Sequence, residues 1–389
     1  MTHELKNNIL TIALVARMDS KNAEEVGAEL EQITAGCRFS ELILDAEPLA
    51  YISSAGLRVI LKLRRKYPSL RVVNASSEVY EIFEMTGFTE MINIEKAFRK
   101  FSVEGCQIIG KGAKGTVYRY NEDTIIKVYK SPDSLPEIKN ERELARRAFV
   151  LGIPTAISFD IVKVGDQYGS VFELLNAKTF SQLIAEHPEN LTEYIREYAL
   201  LLKKIHATKV DAADMPDFKD TVRRWLVTAE PHFEPAAAEK LSRLVEELPD
   251  RLTMLHCDYH TNNVLSQNGE TLLIDMDTLS HGHPIFELAT VYLTFVGFND
   301  ALPANSQDFL GYSAETAKKC WEAFLPIYLG TDDPARIADV ERKVICMSSA
   351  RLIRFATRHF SDPAAQTRAI AVAKQNLESN IEAVDTLDF

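Results

Sequence analysis

Residues 255–265 read Leu-His-Cys-Asp-Tyr-His-Thr-Asn-Asn-Val-Leu, and this stretch restricts the fold more than any other. Polar groups at His256, Asp258, His260 and Asn263 lie between apolar flanks of strand character, so a charged loop must sit at the edge of a buried core. A few residues on, Leu272-Leu-Ile-Asp275-Met-Asp277 places a carboxylate at a strand end. Phosphoryl transfer asks a protein mainly for positioning and charge neutralisation. Asp258 is spaced to orient an attacking hydroxyl and take its proton, Asn263 to offer an amide oxygen to magnesium, and Asp275 to chelate the same ion. Singly, each has a plainer reading: a turn cap, an Asx turn, a strand-end acid. Their order and separation favour one site.

Upstream, Gly110-Lys-Gly112-Ala-Lys-Gly115-Thr-Val forms a G-x-G-x-x-G-x-V pattern. Glycines let backbone N–H groups approach phosphate oxygens that a Cβ would keep away. A dinucleotide-binding loop of this kind should open a helix. Here Gly115 leads instead into a period-2 stretch, a turn at Asn121-Glu-Asp and the strand Thr124–Tyr129, which predicts a hairpin. Thr116 stands where a Walker A loop needs lysine, so that motif is excluded. Lys127, in Ile-Ile-Lys-Val, occupies the returning strand, from which a lysine reaches the α- and β-phosphates. Its carboxylate partner should come from the next helix. Glu141 and Glu143 both qualify, and Glu141 is chosen by its distance from Gly152-Ile-Pro at the helix end. A rival metal site from His256, His260, His281, His283, Cys257 and Asp258 leaves the glycine loop, Lys127 and Asn263 without a role.

The first hundred residues alternate strand signals (8–15, 41–45, 70–74) with helix signals (22–34, 55–67, 77–85), as in a small α/β domain. From Glu95 to Gly105 the pattern turns charged. The expected organisation is an α/β domain over 1–98, a linker over 99–104, a β-rich lobe over 105–175 and a helical lobe over 176–389. A net charge of −12 argues against a phosphate-backbone binder, so no nucleic-acid partner is expected. Five scattered cysteines without a C-x-x-C pair fit a reducing compartment. No run approaches the ~20 apolar residues of a membrane helix, so a cytoplasmic chain without a membrane partner is expected.

Residues from about 104 to 389 resemble the aminoglycoside phosphotransferase (choline kinase-like) branch of the protein-kinase-like superfamily. The matching residues are Gly110, Gly112, Gly115, Lys127, His256-x-Asp258-x-His260-x-x-Asn263 and Ile274-Asp275, with Pro284-Ile-Phe-Glu287-Leu-Ala289 where that branch has P-x-x-D-L-A. The resemblance implies an α+β bilobal kinase-like domain that uses ATP and Mg2+. It implies Asp258, Lys127 and Asn263 as catalytic residues, Gly110, Gly112, Gly115, Lys127 and Glu141 around the nucleotide, and Asn263 and Asp275 as magnesium ligands. Cys257 in place of arginine, His260 in place of lysine and the lack of an A-P-E segment set the chain apart from protein kinases.

Residues 1–98, through Leu49–Ile60, Leu70–Asn74 and Val79–Phe88, resemble the STAS fold of anti-sigma-factor antagonists. In that family a serine within D-S-[ST]-G-L is phosphorylated by a partner kinase and so loses its binding partner. Ser54 falls at the phosphoacceptor position, and Ser53 stands where the aspartate would be. Ser54 would either cap the following helix or carry a phosphate favoured by the free N–H groups there.

Together these readings predict an ATP- and magnesium-dependent phosphotransferase acting on a hydroxyl of a small molecule or of a protein serine such as Ser54, with a STAS module that regulates it or docks a regulatory protein. The acceptor pocket is expected among the helices after Asp300, and the acidic balance would suit a cationic acceptor. The contrasting reading is a non-catalytic STAS protein whose kinase-like half senses nucleotide.

Overall fold

Alternation of apolar residues in Ile9–Ala13 and Glu41–Asp45 puts Leu10, Ile12, Leu42 and Leu44 on one fully buried face. In the computed structural model, which describes residues 1–112 and 114–389, these strands form the centre of the first of two units. That unit comprises Met1–Ser102 with Ile161–Asp166, and the second Val103–Asp160 with Gln167–Phe389.

The first unit runs β1 (His3–Lys6), β2 (Ile9–Ala13), α1 (Ala23–Gly36), β3 (Glu41–Asp45), α2 (Ser54–Lys66), β4 (Arg71–Ala75), α3 (Ser77–Met85) and β5 (Asn93–Lys96). Its sheet follows that order from β1 to β5, antiparallel for β1/β2 and parallel thereafter. Leu30, Ile60 and Phe83 from the three helices pack on the sheet face. The stretch read as a charged linker holds a further strand, β6 (Arg99–Phe101), which pairs in parallel with residues 162–164. β1 and β6 carry no buried residue, so no apolar alternation announces them.

The second unit opens with β7 (Gln107–Lys111), β8 (Gly115–Arg119), β9 (Thr124–Tyr129) and α4 (Leu135–Val150); β10 (Asp160–Val164) belongs, all but its first residue, to the first unit, and β11 (Gln167–Glu173) resumes the second. β7, β8, β9 and β11 are neighbours in an antiparallel arrangement. Helices follow: α5 (Phe180–Glu186), α6 (Leu191–Ala207), α7 (Phe218–Ala229) and α8 (Pro235–Glu246). The hairpin β12 (Val264–Gln267) and β13 (Glu270–Leu273) comes next, and then α9 (Ile285–Tyr292), α10 (Asn305–Leu310), α11 (Ala314–Leu329), α12 (Pro334–His359) and α13 (Pro363–Asn380). Tyr198, Tyr259, Phe286, Phe295 and Phe324 are among the large side chains at the centre of this helical core. Tyr198 and Tyr259 exchange hydroxyl-to-carbonyl hydrogen bonds (2.9 and 2.7 Å), tying α6 to the loop before β12. Among the described residues no helix is long and apolar enough to cross a membrane.

Candidate active site

The β8–β9 register sets Lys127 opposite Val117, and the β9–β11 register sets it opposite Ser170. Lys127 Nζ donates to Glu141 Oε1 and to Asp275 Oδ1, both at 2.9 Å. Burial opposes its charge, but the carboxylates of Glu141 and Asp275 outweigh that and hold its pKa above the ordinary lysine value. Glu141 is buried on α4, and its second oxygen accepts from the Tyr129 hydroxyl at 2.7 Å. Glu143 turns outward to Arg146 and Arg147, whose hydrogen bonds pull its carboxyl down to about 2. Of the two glutamates the sequence offers, Glu141 is the one beside Lys127.

The β12–β13 hairpin assembles the other half. Its register pairs Val264 with Leu273, so the next rung outward joins Asn263 and Ile274 through an Ile274 N–H to Asn263 O bond of 3.0 Å. Asp275 follows directly, at φ +62°. Asn263 Nδ2 donates to the Asp258 carbonyl (3.0 Å), which leaves the amide Oδ1 as its ligand-capable atom. Carboxylate oxygens of Glu141, Asp275 and Asp277 lie within 4.8 Å of one another, a spacing one divalent ion can span, and none of the histidines joins such a group among the described residues. Lys114, inside the glycine-rich loop, pairs with Asp277. Hard oxygen donors beside two lysines fit a magnesium–triphosphate complex better than a soft metal.

The loop bearing Asp258 is bent and held from beneath. Cys257 has φ +67°, a left-handed conformation costly for a residue with a Cβ, on the order of 1–3 kcal/mol. Glu287, fully buried on α9, accepts from the His256 N–H (2.9 Å) and the Cys257 N–H (2.6 Å). The longer glutamate side chain also meets His206 Nε2 at 2.9 Å, and His206 Nδ1 meets the Tyr328 hydroxyl at 2.6 Å. From the other side Arg351 of α12 donates to the Cys257 carbonyl (3.4 Å) and to Thr290 Oγ1. His256 Nε2 donates to the Ile274 carbonyl (3.1 Å) while its Nδ1 accepts from the Asp258 N–H (3.3 Å), the pattern of a neutral imidazole. His260 Nε2 lies 3.6 Å from Asp258 Oδ2, and its buried Nδ1 has no partner among the described residues, which suits an Nε2–H tautomer facing the carboxylate. Burial would raise the Asp258 pKa, but the hydrogen bond from His260 and the nearby charge of Arg351 outweigh it and keep the carboxyl below its ordinary range.

Asp258, Asn263, Asp275, Lys127 and Glu141 thus come together in the second unit. Gly115 begins β8, and Gly112 N–H donates to its carbonyl at 2.9 Å to close the loop. Ser54 belongs to the first unit. There the helix cap is Ser53, whose Oγ accepts from the Ala55 N–H (3.2 Å), whereas Ser54 is the exposed first residue of α2 and its hydroxyl has no hydrogen bond among the described residues. The capping role considered for Ser54 falls to its neighbour. Tyr129, Lys114, Asp277, His206 and Arg351 carried no role in the sequence reading. Arg351 does leave a trace there: it continues the apolar run Val340, Val344, Met347 on α12, a core position occupied by a cation.

Residues 105–321 match the sequence profile of the phosphotransferase enzyme family (APH), and residues 1–100 match that of the STAS domain. A candidate anti-sigma factor antagonist of Bordetella bronchiseptica, BtrV, is 35% identical over 99 residues, covering 24% of this chain and 84% of its own. Similar solved structures include the streptomycin–ATP complex of the aminoglycoside phosphotransferase APH(2'')-IIa (15% identity, 81% of this chain and 99% of that one, TM-score 0.48). ADP-bound APH(2'')-Ib is another (15% identity, 79% and 99%, TM-score 0.46).

Proposed function

The chain belongs to the phosphotransferase enzyme family and carries a STAS domain, and from that premise we propose that it transfers the γ-phosphoryl group of ATP to a hydroxyl acceptor at the Asp258 loop. One observation carries the reading: Lys127 bridges Glu141 and Asp275 while Asp258 sits on a loop clamped by Glu287 and Arg351. In this reading the Asp258 carboxylate orients the acceptor hydroxyl and takes its proton as the new P–O bond forms and ADP leaves. Its depressed pKa keeps it ionised, the form that accepts a hydrogen bond from the acceptor hydroxyl. Lys127 holds the α- and β-phosphates, and Glu141 fixes the lysine's position. Asn263 Oδ1 and Asp275 would hold magnesium, which when bound neutralises charge across the phosphates. The STAS unit would dock a regulatory protein, with exposed Ser54 as the candidate phosphoacceptor of that switch.

Incubation of the full chain with labelled ATP and magnesium tests this. Asp258→Asn should lower ADP formation by roughly 10²–10⁴, the usual contribution of a general base. Label on the protein that Ser54→Ala removes would identify Ser54 as an acceptor. Unchanged turnover in Asp258→Asn would refute the assignment.

A further inference from the structure

The face of α12 that meets the catalytic loop continues outward. Arg351, whose guanidinium reaches the Cys257 carbonyl, is followed at i+3, i+4 and i+7 by Arg354, Phe355 and Arg358. At 3.6 residues per turn the four share one side of the helix, and the 1.5 Å rise spreads the last three over roughly 5–10 Å beyond Arg351. The stripe climbs to the surface: Arg351 and Arg354 are half-buried, Phe355 and Arg358 exposed.

α7 runs beside it. The Trp225 ring lies under Arg351, with the guanidinium carbon 5.0 Å from its centroid. One turn later Thr228 Oγ1 accepts from Arg354 (2.8 Å) and donates to the Arg224 carbonyl one turn back on α7 (3.0 Å), and the charge of Arg224 is felt at Arg354. Arg224 also donates to Thr221 Oγ1, at 2.6 Å. Among the described residues none of Arg224, Arg354 and Arg358 is in an ion pair, in a chain of net charge −12. Burial together with the charges of Arg358 and Arg224 pushes Arg354 below its ordinary pKa. A bound anion would relieve that repulsion. Phe309 meets His260 of the catalytic loop edge-on at 5.0 Å, and on the stripe itself Phe298 packs on Phe355 at 4.8 Å.

We propose that Arg224, Arg354 and Arg358 bind an anionic group of the phosphate acceptor, so that the acceptor is a hydroxyl compound already bearing a phosphate or a carboxylate, its apolar part against Phe355. This rests on Asp258 being the base that serves that acceptor. It departs from the cationic acceptor that net charge alone suggests, because an acceptor meets the local field of the surface that binds it rather than the charge of the whole chain.

Thermal unfolding of the full chain, with ADP and magnesium present throughout to fill the nucleotide site, decides it. Inorganic phosphate should raise the Tm of the wild type, or acetate should if the recognised group is a carboxylate. The double variant Arg354→Gln/Arg358→Gln should lose that shift and, without added anion, melt no lower than the wild type. Arg354→Lys/Arg358→Lys keeps the charge and should keep the shift. A wild type unmoved by either anion, or a glutamine variant that shifts equally, overturns the proposal. ADP release with glycerol, glycerol 3-phosphate and streptomycin tests the premise separately. Release that survives Asp258→Asn sinks the phosphotransfer reading, whereas Asp258-dependent release stimulated more by streptomycin than by glycerol 3-phosphate sinks only the anionic acceptor.

Discussion

Asp258 is held by its neighbours' backbone more than by its own side chain. The left-handed turn at Cys257 would be unfavourable alone, and the hydrogen bonds from its N–H to Glu287 and from Arg351 to its carbonyl offset the cost. Fixing the peptide units on either side of Cys257 fixes where the next residue's carboxylate points. The sign of its pKa shift makes a kinetic prediction. A carboxyl held below its ordinary value of 3.8 is already ionised well into acid, so its stabilisation and its carboxylate form persist until the pH falls through that lowered value. At saturating ATP and magnesium, kcat should therefore vary by less than about twofold between about pH 8 and pH 5. An acid limb near pH 6 that disappears in Asp258→Asn would contradict this.

Among the elements, the glycine-rich hairpin separates two uses of glycine. A Cβ at Gly115 would lie 2.5 Å from the Val128 carbonyl oxygen, so this glycine serves the close approach of β8 to β9. At Gly112 the nearest such atom is 3.9 Å away, leaving space a ligand could enter. Gly115→Ala should destabilise the fold by about 1–3 kcal/mol in urea unfolding, because backbone must shift to admit the methyl group. Gly112→Ala should leave stability within about 0.5 kcal/mol and instead raise the KM for ATP. Equal stability losses in the two variants would remove the distinction. The β12–β13 hairpin works in the same way for the other half of the site: its register, not any local preference of Asn263 or Asp275, brings those residues together.

At the scale of the whole molecule, Asp388 gathers Arg251 (2.6 Å), His283 (2.9 Å) and, through its carbonyl, Lys343 (2.8 Å), tying the last residues to the turn before α9. His283 donates from Nε2 to Asp388 and accepts the Ile285 N–H at Nδ1, so it is neutral, and burial pulls its pKa from 6.5 down to about 4. An unfolded histidine takes up its proton first, so this contribution is intact above pH about 6.5 and fades toward pH 4, by up to about 3 kcal/mol. Unfolding free energies at about pH 7.5 and pH 5 should differ less in His283→Gln than in the wild type; an unchanged difference would exclude His283 as the source. Both domains were legible in the amino-acid order, because period-2 and period-3.6 patterns and the spacings around Lys127, Asp258, Asn263 and Asp275 are local properties of a chain. The choice of Glu141 over Glu143 was also legible, from its distance to the helix end, whereas other assignments waited for the folded chain: Ser53 as the cap in place of Ser54, and Arg351 and His206 beneath the catalytic loop. Each depends on which side chain faces inward or on contacts between residues far apart in the chain. Helix periodicity narrows such choices, and only packing completes them.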